Sequence, residues 1–218
     1  MKVCKFGGSS LADAGQVRKV CDLVLADPAR RVVVVSAPGR RRSGDEKVTD
    51  LLIACARHAL AGADTEAPLA AVVARYDAIC RDLGLPAEIA GEIEADLRRR
   101  LASDRSHAGR FLDLLKAAGE AHAARLVAAA LRARGADARC LDPCRAGMLL
   151  QGECGNATLR EESYGLLAAS LAEFLGRPPA AGRPGPLAVF PGFFGVTRDG
   201  RVATFSRGGS DITGAILA

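Results

Sequence analysis

The sequence predicts an α/β protein, a three-layer α/β/α sandwich around a mainly parallel central sheet. Three observations carry that class. Val32-Val33-Val34-Val35 sits inside an unbroken apolar run of the kind covered on both faces. A strand, a glycine turn, a helix and a second strand follow one another from Met1 to Ser36, which is a parallel βαβ unit. After a long helical excursion from the sheet, strand-like and helix-like segments return from Asp137 onward.

Taken in order, Met1 to Phe6 reads as a short buried strand and Arg31 to Ser36 as its neighbour. Between them, Ala12 to Ala26 carries Val17, Val20, Cys21, Val24 and Leu25 at helical spacing. Glu46 to about Ala118 is helical, broken at Ala61-Gly62-Ala63, at Gly84-Leu85-Pro86 and around Ser103 to Ser106. A separate helix is expected from Gly119 to Arg134, stopped by Gly135, with Glu120 in its first turn, where a carboxylate complements the helix dipole. Asp137 to Leu141 returns to strand, and Arg160 to Leu175 is helical again. The Pro/Gly-rich stretch from Gly176 through Pro186 reads as a surface loop, because the buried strand Leu187 to Phe190 follows at once. Thr197-Arg198-Asp199-Gly200 between apolar arms is a hairpin signal. An apolar helix begins at Asp211 and reaches Ala218 with no polar last turn or glycine stop, so the fold is expected to lack a part.

Composition narrows the function. With 218 residues, 49% apolar and no Trp, the chain can bury a good core of Ala, Val and Leu. The net charge of +5 is scattered among acidic residues without interleaved aromatics, which favours small anionic ligands over nucleic acid. Arg40-Arg41-Arg42 and Arg98-Arg99-Arg100 read as a loop and a solvated helix end. Seven cysteines at irregular spacing do not suggest a disulfide framework, and Cys140, Cys144 and Cys154 lack metal-ligand spacing, so no metal site is assigned. No stretch is long and apolar enough to span a bilayer, and the expected setting is a cytoplasmic enzyme. His58, His107 and His122 show no partner pattern and read as surface or satisfied core residues.

Two glycine-rich turns carry the chemistry: Lys5-Phe6-Gly7-Gly8-Ser9-Ser10 and Ser206-Arg207-Gly208-Gly209-Ser210-Asp211, each placed between a strand-like and a helix-like run. Glycines admit an oxyanion close to the backbone, and the N–H groups of a following helix point at it. Lys5 adds a mobile cation, and Arg207 a planar fork suited to a carboxylate or phosphate. Ser36-Ala37-Pro38-Gly39 forms a further turn at the carboxyl edge of the sheet, where ligands of open α/β folds collect. Glu46-Lys47-Val48-Thr49-Asp50 opens the next helix, where Thr49 by position alone reads as a cap or surface residue.

These segments, with Val35-Ser36-Ala37-Pro38-Gly39, Val48-Thr49-Asp50-Leu51-Leu52, Gly119-Glu120 and Pro191-Gly192-Phe193, occur in the order of the motifs of aspartate kinase, and from Met1 to Ala218 the chain resembles that branch of the amino acid kinase family. The resemblance implies the amino acid kinase (carbamate kinase-like) fold, with residues 1–218 an incomplete kinase domain. The family's remaining ATP-binding part and its regulatory ACT domains would lie beyond Ala218. It implies that Lys5 stabilises the phosphoryl group in flight and that Gly7, Gly8, Ser9 and Ser36 face the phosphates of ATP. Thr49, Glu120 and Arg207 would contact L-aspartate, Glu120 at its ammonium and Arg207 at its α-carboxylate, with Gly208, Gly209 and Ser210 beside them. Asp211 would orient the catalytic lysine. The implied reaction is ATP- and Mg2+-dependent phosphorylation of L-aspartate to 4-phospho-L-aspartate, for lysine, threonine or methionine synthesis, in a homodimer. An acceptor that is already a carboxylate needs no general base, which agrees with the lack of a base and nucleophile pair. Two other readings stay open: a non-catalytic fragment that binds aspartate or docks on a complete kinase, and a kinase for another small carboxylate.

Overall fold

A computed structural model describes residues 1–177, 185–206 and 208–218. Its central sheet has four parallel strands in the order β1 (Lys2–Phe6), β2 (Arg30–Val35), β6 (Leu187–Pro191), β3 (Ala138–Cys140). Register is continuous across the middle, with Val34 opposite both Lys5 and Phe190. Because side chains alternate along a strand, β2 serves two cores. Val33 and Val35 face a helical layer with Val17, Leu52 and Leu131, while Val32 and Val34 face Phe174, Phe190 and Phe205 on the other side. The three-layer α/β/α expectation holds.

The first layer holds α1 (Ala14–Leu25), α2 (Val48–Leu60), α3 (Glu66–Leu83), α4 (Glu88–Leu101) and α5 (Ala108–Ala133). Its breaks fall at the glycines and turn residues read from the sequence. Gly62 and Gly84 adopt the left-handed conformation there, with φ +68 and +71. The second layer holds α7 (Glu162–Leu175) and α8 (Gly209–Ile216), with the hairpins β4 (Leu150–Glu153)/β5 (Asn156–Leu159) and β7 (Phe194–Val196)/β8 (Val202–Thr204). A single helical turn, α6 (Pro143–Ala146), is capped by Asp142, which accepts from Cys144 N–H at 2.9 Å.

Three expectations need correction. The first glycine turn does not run straight into a long helix. Gly8–Leu11 forms a 3-10 turn, and α1 starts at Ala14 because Asp13 caps it, accepting from Gln16 N–H at 2.9 Å. Gly119-Glu120 does not open a helix, since α5 runs unbroken through both. Gly119 is there because a Cβ would stand 3.0 Å from Ala37 Cβ and Leu52 Cδ1, and its carbonyl accepts a 2.6 Å bond from buried Tyr76. The last turn of α4 is only partly solvated: Arg100 donates to Asp96 at 2.6 Å and to the Leu114 carbonyl at 2.9 Å. The β4/β5 hairpin was not foreseen. The loop predicted between α7 and β6 lies largely outside the described residues. No helix among them is long and apolar enough to cross a membrane, and all seven cysteines are free thiols.

Candidate active site

The carboxyl ends of β1, β2 and β6 lie side by side, so the segments that leave them meet at one edge of the sheet. The turn after β1 and the turn after β2 lie backbone to backbone. Gly39 N–H donates to the Gly8 carbonyl at 2.8 Å, and Ser36 N–H to the Phe6 carbonyl at 3.1 Å. A Cβ at Gly8 would stand 2.8 Å from the Ala37 carbonyl oxygen, and one at Gly39 would stand 2.7 Å from the Gly8 carbonyl carbon. Steric exclusion of this kind, not a left-handed φ, requires glycine at both places. Ser9 is exposed and Gly7 half-buried at the mouth of this turn.

The second glycine turn enters from the opposite layer. Gly208, at φ +83, caps α8, whose first turn holds Gly209, Ser210 and Asp211. Gly209 is packed under Phe193, with 2.6 Å between Phe193 Cβ and the place a Cβ would take, and Gly192 is similarly 2.6 Å from Ser210 Cβ. Thr213 donates to the Gly192 carbonyl and locks α8 to the end of β6. Lys5 Nζ then reaches across to Asp211 Oδ1 at 2.8 Å, a partly exposed pair that joins the two turns. Arg207 lies outside the described residues.

Glu120 stands between the turns. It projects from the middle of α5 into a buried position, where Oε1 accepts from Ser210 Oγ at 2.7 Å and Oε2 from Phe193 N–H at 2.5 Å. Ser36 Oγ donates to Ser210 Oγ at 3.0 Å, so a relay runs Ser36, Ser210, Glu120. Burial pushes the Glu120 carboxyl up to about 7, against the bonds from Ser210 and from the Phe193 and Gly192 N–H groups and the charge of Lys5. Thr49 is half-buried in the first turn of α2, which Val48 N–H fastens to the Pro38 carbonyl at 3.0 Å.

The structure therefore gathers Lys5, Asp211, Ser36, Ser210 and Glu120 through direct contacts, and places Gly7, Gly8, Ser9 and Gly208 in the adjoining turns and Thr49 and Gly209 in the first turns of α2 and α8. Sequence reasoning missed Arg75 and Asp113. Buried Asp113 of α5 accepts from Thr204 Oγ1 at 2.8 Å, Thr204 N–H at 3.1 Å and Gly155 N–H at 2.9 Å, and pairs with Lys116 at 2.9 Å. It thereby fixes the strand that leads to the second turn. Neither residue carries a local signal, since a lone charge on a helix reads as solvated.

Helical layers on both faces of a parallel sheet, with a glycine-lined, lysine-bearing edge, define an α/β protein with one candidate site at the carboxyl ends of its strands. The chain belongs to the amino acid kinase family, whose model matches residues 1–218. It is 48% identical to aspartokinase 3 of Bacillus subtilis over its whole length and 46% of that protein's, and 32% identical to lysine-sensitive aspartokinase 3 of Escherichia coli, covering 45% of it. Among solved structures it is similar to E. coli aspartokinase III in complex with lysine and aspartate, with TM-score 0.80 and 31% identity, covering all of this chain and 46% of that one. The same enzyme in complex with aspartate and ADP gives 0.78. The chain thus spans about half the length of the relatives it matches.

Proposed function

We propose that this chain carries the phosphate and aspartate sites of an ATP-dependent aspartate kinase, which forms 4-phospho-L-aspartate from L-aspartate. The observation that carries the reading is the union of the two glycine turns by the Lys5–Asp211 pair and the Ser36, Ser210, Glu120 relay. The relatives' names and their complexes with aspartate and ADP support it. In this reading residues 1–218 are the aspartate-binding part of the kinase domain. A cytoplasmic homodimer serving lysine, threonine or methionine synthesis belongs to the same proposal.

The residues fit a nucleotide's phosphates: Ser9 is exposed at the mouth of the turn, and among the described residues the one atom near the place a Cβ on Gly7 would take is the Lys5 ammonium, at 3.6 Å. Mg-ATP supplies the phosphoryl group when bound. Lys5, oriented by Asp211, would neutralise charge on the transferred oxygens, and the Gly7, Gly8 and Ser9 backbone with Ser36 would hold them. Glu120 in its ionised form accepts the ammonium of aspartate, and Arg207 and Thr49 hold its remaining polar groups. Gly208, Gly209 and Ser210 shape the floor on which it lies. The acceptor carboxylate needs no deprotonation, so positioning supplies the rate.

The test is aspartate-dependent acyl phosphate formation, trapped as the hydroxamate. Lys5→Ala is expected to abolish it. Turnover that survives in Lys5→Ala removes the lysine's role, and absence of both turnover and aspartate binding in the unsubstituted chain removes the reading.

A further inference from the structure

Arg75 of α3 is buried, only 5% exposed, yet it touches none of the residues that the proposed reaction uses. Its guanidinium is spent on one loop. Nη1 donates to the Gly39 carbonyl at 2.7 Å, and Nη2 to the Asp45 carboxylate at 2.7 Å and the Glu46 carbonyl at 2.9 Å. Gly39 and Glu46 lie toward opposite ends of the segment that leaves β2 and enters α2. The fork therefore closes a compact loop at its neck. Arg41 reinforces the far side, donating from its backbone N–H and its guanidinium to the same carboxylate at 2.8–3.0 Å. The tip, with Arg40, Arg41 and Arg42, stays exposed.

We propose that Arg75 is a positioning residue of the phosphate site: by closing this loop it holds Gly39 against Gly8 and sets the first turn of α2, with Thr49, at the sheet edge. The inference rests on the proposed reading of that edge. It follows from geometry that a lysine cannot reproduce, since one ammonium on a flexible stem cannot span three acceptors set in different directions. The loop also contains its own reporter. Trypsin cuts after arginine, and Arg40, Arg41 and Arg42 lie at the tip that Arg75 restrains.

The experiment compares the unsubstituted chain with Arg75→Ala and Arg75→Lys under native conditions. The rate of tryptic nicking at 40–42 is measured beside global stability in urea. Nicking tracks the open population of the loop. The expected result is nicking faster by about 30-fold in Arg75→Ala, from the loss of several charge-assisted hydrogen bonds, with most of that increase kept in Arg75→Lys. Millimolar guanidinium should slow nicking of Arg75→Ala again where the same concentration of sodium chloride does not. Equal nicking in all three chains overturns the proposal, as does an increase fully accounted for by loss of global stability. If Arg75→Ala fails to fold, Asp45→Asn loosens the same neck while leaving the buried guanidinium on its two carbonyls, and it should be nicked faster by more than its loss of global stability accounts for. In the hydroxamate assay Arg75→Lys should raise the KM for ATP about ten-fold with kcat little changed. A fall in kcat alone counts against a positioning role. If the unsubstituted chain neither forms acyl phosphate nor binds aspartate, the aspartate kinase reading fails on that result, while nicking and guanidinium rescue still decide whether Arg75 holds the loop.

Discussion

Glu120→Gln offers a direct test of the buried carboxylate. In the folded chain Glu120 titrates at about 7 against an ordinary value of 4.5, so between those two pH values the folded state binds more protons than the unfolded one. Stability must therefore fall as pH rises through that window. The advantage of the neutral carboxyl is complete below about 4.5 and gone above about 7, and a shift of that size corresponds to about 3 kcal/mol at 1.36 kcal/mol per unit. The neutral form costs no hydrogen bond. A protonated Oε1 can donate to Ser210 Oγ, and the serine hydroxyl can turn to donate to Ser36 Oγ, reversing the relay while Oε2 still accepts from Phe193. Glutamine can make the same reversed set with its amide, so its contribution is independent of pH. Urea unfolding of both chains at intervals from about pH 5 to pH 8 gives the difference directly. The unsubstituted chain should lose about 2.5 kcal/mol relative to Glu120→Gln across that range, since part of the advantage is already gone at pH 5. A difference that stays constant would refute the burial argument.

Aspartate binding should follow the same titration: the ionised fraction of Glu120 rises about ten-fold between pH 6 and pH 8, and calorimetry should show affinity rising by a similar factor. Glu120→Gln should show a flat profile, and a flat profile in the unsubstituted chain would take Glu120 off the ammonium. Asp113→Ala leaves the buried Thr204 N–H and the half-buried Gly155 N–H without their acceptor and removes the ion-pair partner of Lys116, and should cost about 3–5 kcal/mol in urea unfolding; a loss below about 1 kcal/mol would show that the site relaxes. Gly8→Ala drives a methyl to within 2.8 Å of the Ala37 carbonyl oxygen, so the two turns must part, at a cost of about 1–3 kcal/mol. Chemical-shift mapping should place the disturbance at 7–11 and 36–39, and an undisturbed second turn would show that the glycine pair does not set their separation.

What could be read in the sequence divides by range. β1, β2, β6 and the Thr197–Gly200 turn announce themselves within a few residues through apolar runs and Asp-Gly, and the structure has them at those places. The glycine turns were equally legible, because the chemistry that needs glycine is local to the turn. The β4/β5 hairpin was not, since its strands have only four residues each and its cores are single side chains, Leu150 and Ala157. Glu120 was singled out by the resemblance, but its placement at a helix start does not hold. The pair Gly119-Glu120 suggested a helix start, whereas the glycine answers to Ala37, Leu52 and Tyr76, residues that no window around it contains.

The same distance in sequence explains why Arg75 and Asp113 were invisible and why they matter to the site. Arg75 meets partners 29 to 36 residues away, and Asp113 meets Thr204 across 91 residues. Each glycine turn is therefore only half specified by its own motif. The motif removes side chains so that backbone can approach, which lowers the barrier to many conformations as readily as to one. A buried charge from the helical layer then selects among them, Arg75 for the loop against the first turn and Asp113 for the strand that enters the second. Such charges carry a desolvation cost that only fully directed partners offset, so they confer geometry where they confer little net stability. An α/β edge assembled in this way should keep its fold when one of these contacts is weakened and lose first the register between its loops, which is the outcome that nicking at 40–42 separates from unfolding.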